Sequence, residues 1–156
     1  MQVEHAEAAA DAITRYLKDN LPNTLRATEQ SLGVEAGSLY DPVDIIIANA
    51  PMDTRSPLIE VFCERGTPED QRNKIWIYDC SVAATYVGDA NIEASELFIY
   101  RYVAALTRCL REDPTLDNRV VSAIVDDLSF TSFRGPTGDI TRKIGLLGVS
   151  VRIKDK

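Results

Sequence analysis

The segment from Ile92 to Arg111 constrains this chain most. It sets Ile99, Tyr102, Val103, Leu106, Cys109 and Leu110 at three- and four-residue spacing, while Glu93, Glu96, Arg101, Arg108 and Arg111 lie mostly off that stripe. The pattern predicts a helix with one apolar side, and such a helix needs an apolar surface to lie on. Asn91 or Ser95 can cap its start, where Glu93 and Glu96 suit the positive end of the helix dipole; Arg108 and Arg111 suit the other end. Asp113-Pro114 stops it, because a residue before proline avoids helical backbone angles.

The flanking segments supply that surface. Pro57 to Glu64 (PLIEVFCE) reads as a strand with a proline start, and Lys74 to Val87 (KIWIYDCSVAATYV) is dense in β-branched and aromatic residues. The two should pair antiparallel across an exposed loop, Arg65 to Asn73, which holds Gly66, Pro68 and charges of both signs. After the helix, Asn118 to Phe133 and Thr141 to Lys154 read as a second hairpin around RGPTGD. In its second arm Ile144, Leu146, Gly148, Ser150, Arg152 and Lys154 share one face, and Leu147, Val149, Val151 and Ile153 the other.

At the N-terminus, Val3 to Asn20 is amphipathic, with Ala6, Ala9, Ala10, Ile13, Tyr16 and Leu17 on one side. Pro22 then fits either the end of this helix or the first turn of a second one, through Leu25 to Leu32 and closed by Gly33. Residues 34–56 read as a long connection whose cluster Ile45-Ile46-Ile47 is a short strand or a turn. The sum is an α+β fold, a four-stranded, mostly antiparallel sheet with the long helix and the N-terminal helix packed on one face. Residues 1–156 form one domain, since no linker separates two cores. Trp76 and Leu106 are expected to meet between the layers.

Composition narrows the function. The formal charge is −7 and the 17 basic residues are scattered, so there is no electrostatic footprint for a phosphate backbone. The longest apolar runs are too short to cross a bilayer, and a protein made in the cytosol is expected. Cys63, Cys80 and Cys109 are widely spaced among apolar neighbours and read as buried free thiols. His5 reads as a surface residue without a nucleophile to serve.

Neither a nucleophile with its base nor a phosphate-cradling loop is evident, so no catalytic residue, cofactor or metal is assigned. Asp126 and Asp127 with Asp79 would be the carboxylates of a metal-dependent nuclease, but strand neighbours point to opposite faces and should not converge on one ion. Trp76, Tyr78, Tyr86, Tyr100 and Tyr102 read as core and interface aromatics.

The order helix, strand pair, long helix ending in DPTL and closing hairpin resembles the tail-terminator and tail-completion proteins of long-tailed bacteriophages. The resemblance spans about residues 3–154. It is carried by the strand Pro57 to Glu64, the loop RGTPEDQRN, the helix containing YRYVAALTRCLRED, the segment Pro114-Thr115-Leu116 and the strand IGLLGVSVRIK. Where relatives place a glycine pair after the leucine of that segment, this chain has Asp117 and Asn118, which also tolerate positive backbone angles.

The resemblance implies a non-enzymatic virion protein, assembled in the host cytoplasm and placed at the tail and neck. It would form a ring, commonly hexameric, that caps the tail-tube protein and presents a surface to the head-completion or connector protein. DNA would pass through the lumen without specific binding, and no membrane is involved. Contacts are expected from the two charged loops, at Arg65, Gly66, Asp70, Arg72, Arg134, Gly135 and Asp139. The alternatives are a head-closure or minor tail protein of the neck, the small nuclease already mentioned, and a bacterial adaptor domain.

Overall fold

A computed structural model describes residues 2–49, 55–70, 72, 74–88, 91–134 and 141–155 of the chain. In chain order the elements are α1 (Gln2–Leu32), β1 (Asp44–Ile47), β2 (Leu58–Asp70), β3 (Ile75–Val87), α2 (Ile92–Glu112), β4 (Ser122–Arg134) and β5 (Thr141–Lys154). The strands form one sheet in the order β1-β2-β3-β5-β4, antiparallel except where β1 runs parallel to β2. The expected α+β layout therefore holds with one correction. The cluster Ile45-Ile46-Ile47 is a fifth strand, which makes the sheet mixed.

The N-terminal helix does not end near Pro22. It runs unbroken for 31 residues, about 46 Å, with that proline inside it. Proline removes one amide donor and crowds the carbonyl four residues earlier. Here Lys18 and Pro22 both face solvent, where water can satisfy the freed carbonyl, while Ile13, Leu17, Leu21 and Leu25 on the opposite side are fully buried. That column holds both halves of the helix to the core. The end falls where Gly33 was expected to close it: Gly33 has φ 69°, its amide donates to the Gln30 carbonyl at 3.2 Å and the Val34 amide to Glu29 at 3.1 Å.

The long helix α2 follows its sequence pattern. Asn91 is its cap, with Oδ1 accepting the Ala94 amide at 3.0 Å, and the whole stripe Ile99, Tyr102, Val103, Leu106, Cys109, Leu110 is buried. Both helices pack on one sheet face, built by Ile59, Val61, Tyr78, Cys80, Val82, Leu147, Val149, Val151 and Ile153. Leu106 is fully buried there. Trp76 lies opposite Ile153 and is only half-buried, its ring contacts being with Tyr78 and His5 at centroid distances of 6.4 Å. His5 is likewise no surface residue: its side chain is 12% exposed, packed among these rings, with Nε2 3.1 Å from Oδ1 of Asp155.

Beyond α2, Asp113 organises the turn. Its carboxylate accepts from the Thr115 hydroxyl at 2.7 Å, the Thr115 amide at 3.0 Å and the Asp117 amide at 2.9 Å, which holds the group below the usual carboxylate range. Leu116, Asp117 and Asn118 take φ of 48°, 63° and 62°. The two positions where glycines were expected in relatives thus do carry positive angles, and Asp and Asn accept them.

Gly145 is where α2 touches the sheet most closely. A Cβ there would sit 2.2 Å from Cγ2 of Val103 and 3.4 Å from Cγ1 of Ile99. Gly145→Ala should therefore push helix from sheet and cost about 1 to 3 kcal/mol in chemical denaturation, as overpacking does. A loss under roughly 0.5 kcal/mol, the range of an ordinary surface change, would show that α2 does not press on β5 there.

Candidate assembly surfaces

A sheet offers two unpaired edges, and exposed edges recruit further strands unless they are short, charged or interrupted. In this chain the two edges differ. On one side β1 covers only Leu58 to Val61 of β2, so that among the described residues Phe62 to Asp70 have β3 on one flank and no strand on the other. That uncovered half is exposed from Glu64 to Glu69 and contains Pro68, a residue suited to strand edges. On the other side no strand lies beyond β4 among the described residues; the Ala123 amide donates to the Pro114 carbonyl at 2.7 Å, and further along Ile124 is 56%, Leu128 47%, Phe130 44% and Phe133 54% exposed. Phe130 meets exposed Tyr100 of α2 edge to face at 4.9 Å, so the apolar patch runs from the strand onto the helix.

The expected contact residues fall into this frame with corrections. Most of the presumed loop from Arg65 to Asn73 is strand: Arg65 pairs with Asp79, Gly66 with Tyr78 and Asp70 with Ile75. Its charges misled the reading, since a half-uncovered edge strand tolerates polar residues on both faces. Arg65 forms an exposed ion pair with Asp79 at 3.9 Å, and a Cβ on Gly66 would lie 2.4 Å from the Tyr78 ring. Arg72 is an exposed turn residue whose amide donates to the Asp70 carboxylate at 3.0 Å. Arg134 ends β4 opposite Thr141, and Gly135 and Asp139 lie outside the described residues.

The structure does not bring these positions together. Asp70 and Ile75 are paired at the end of the sheet where Lys154 lies, whereas Arg134 and Thr141 are paired next to the Val87 and Arg142 pair, and the 13 residues of β3 between Ile75 and Val87 span roughly 43 Å. Asp70 and Arg134 thus lie toward opposite ends of the sheet.

The sheet face away from the helices carries a band of carboxylates. A cleft of about 320 Å³ is lined by Glu64, Asp79, Ser81, Asp126, Asp127 and Gly148. Simple alternation was expected to separate Asp126 from Asp127, but the ladder shifts between Val125 and Asp127, a bulge that lets both approach one glycine. A Cβ on Gly148 would meet Oδ1 of Asp126 at 2.9 Å and Cβ of Asp127 at 3.1 Å. Among the described residues no group of three or more His, Cys, Asp or Glu side chains is arranged to hold a metal ion. Sequence reasoning missed the apolar β4 edge; its signal was Ile124, Leu128 and Phe130 in a strand with few other apolar neighbours.

The described helices include none long and apolar enough to cross a membrane. No family model matches the chain, and no curated protein matches it. Among solved structures, a chain from the virion of a native gene transfer agent particle is similar at TM-score 0.45 and 12% identity, over 82% of this chain and 92% of that one. A likeness of that degree establishes neither a shared fold nor a shared role.

Proposed function

We propose that this chain is a structural subunit of a long-tailed bacteriophage virion, of the tail-terminator or tail-completion type. It assembles into a ring at the head-proximal end of the tail, stops tail-tube growth and offers a joining surface to the head-completion protein. The observation that carries the ring is the pair of unlike sheet edges: an apolar one along β4, and a polar, proline-bearing one along β2 beyond β1. Unlike surfaces join head to tail, and a head-to-tail contact whose rotation closes makes a ring. The motif order set out in the sequence, from the strand after Pro57 to the DPTL turn and the closing hairpin, supports placing that ring on the tail.

Two features suit the role. Arg65, Gly66 and Asp70, expected contacts, lie on the uncovered part of β2, where the next subunit's β4 would arrive. The carboxylate band, turned to a lumen, would repel phosphates and let duplex DNA slide through instead of holding it by counterion release. The chain acts without cofactor or catalysis in this reading.

The test is the mass of the purified protein by light scattering, with negative-stain imaging of the protein alone and mixed with tubes assembled from the tail-tube protein of the same genome. Rings, alone or seated on tube ends, are expected. A monomer that leaves tube ends bare and tube length unlimited overturns the reading.

A further inference from the structure

Cys63 and Cys80 stand directly opposite each other in the β2–β3 ladder. Opposed residues of an antiparallel pair have Cα atoms about 4.5 to 5.5 Å apart, inside the span a disulfide bridges. Both side chains point to the helix-covered face, and their sulfurs are 2.7 Å apart, unbonded.

Their surroundings divide the roles. Cys63 is half-buried and lines an open cleft of about 240 Å³ beside Arg65, Gly66 and Trp76, with its Sγ also 3.4 Å from the Ala6 carbonyl oxygen of α1. Cys80 is 2% exposed. The hydrogen bond between the thiols holds Cys63 below the ordinary thiol range, while the same bond and burial push Cys80 up. Cys109 is fully buried within α2, and burial pushes its thiol up to about 11.

We propose that Cys63 and Cys80 are a modification site, an oxidisable thiol pair that exchanges with small-molecule disulfides and closes into a bond stapling β2 to β3. The Cys63 thiolate attacks one sulfur of the small disulfide, forming a mixed disulfide and expelling one thiolate, which takes up a proton. Cys80 then loses its proton and attacks Sγ of Cys63, expelling the second small thiol. The two protein thiols are oxidised by two electrons, and one small disulfide is reduced to two thiols. The pair is thus reduced in a thiol-rich cytoplasm and closes on transfer to an oxidising medium.

The experiment incubates the folded, fully reduced chain with oxidised glutathione, then denatures, alkylates and weighs it. Of the three thiols in the chain, one is expected to remain alkylatable, with a mass loss of two hydrogens before alkylation, no retained glutathione, and a peptide map joining Cys63 to Cys80. Cys80→Ser should trap one glutathione on Cys63, since the resolving sulfur is gone. Cys63→Ser should react at least about tenfold more slowly, the reachable thiolate being lost. The proposal is overturned if the folded wild type keeps all three thiols, retains glutathione on Cys63 as fully as Cys80→Ser does, or links the two cysteines only after denaturation. The wild-type outcome decides even where a variant fails to fold.

Discussion

Leu106→Ala should lower the free energy of unfolding by about 2 to 5 kcal/mol in chemical denaturation. Leu106 is fully buried at the centre of the α2 stripe, in the one cluster that joins both helices to the sheet. Truncation loses the transfer energy of the removed carbons, and a cavity term is added to the extent that the walls cannot collapse. Here collapse is resisted on both sides: α1 is a single rod whose Leu17, Leu21 and Leu25 are locked in the same core, and α2 is fixed at Gly145 by Val103. The loss should sit above that of Gly145→Ala. A change under roughly 0.5 kcal/mol would mean that α2 presents another side to the sheet.

The second large effect concerns assembly. Ile124→Lys combined with Phe130→Lys should leave the isolated subunit's stability nearly unchanged, because both side chains are about half exposed in it. Their partners show that the two residues face opposite sides of β4: Ile124 is paired with Ser150 on the helix-free face, and Phe130 with Gly145 on the helix side. In a ring joined through this edge, about half of each side chain is left to bury, so each loss weakens the contact by about 0.8 to 1.5 kcal/mol, and lysine on an edge is the natural block to strand addition. Association at each interface should therefore weaken at least roughly tenfold. Rings scored by imaging and by mass should disappear at concentrations where the wild type forms them. Intact rings from a folded double variant would place the subunit contact on another surface.

How much of this was legible in the sequence differs by element. The α2 stripe could be read because a surface helix repeats its burial every three to four residues, and all six predicted stripe residues are buried. The closing hairpin could be read because Leu147, Val149, Val151 and Ile153 alternate without interruption, and they are the buried face. Pro22 misled because local chemistry says break, while tertiary burial of the leucine column on either side says continue, and burial is the larger effect. The far half of β2 was hidden by charges that an uncovered edge permits. The position of His5 depended on Asp155, 150 residues away, a relation no local pattern carries. Cys63 and Cys80 could be matched only once the register across the turn was known. The proposed contact surfaces were the least legible: the expected residues followed breakers and charge, whereas the apolar residues of β4 come to lie on an edge only through the strand order.

The bulge in β4 reaches further than the carboxylates it brings together. Asp126 is a residue in excess, for which β5 has no counterpart, and Gly148 is a side chain in deficit, directly beside it. Excess and deficit compensate each other in volume, and the local rule of alternation is restored beyond them with Leu128 opposite Leu147. The two positions, 22 residues apart, are therefore coupled in space. A Cβ at 148 would make the Asp126 carboxylate, 2.9 Å away, swing aside and would press on Cβ of Asp127 at 3.1 Å, so a side chain added on β5 would be felt across the ladder as a displacement of the bulge.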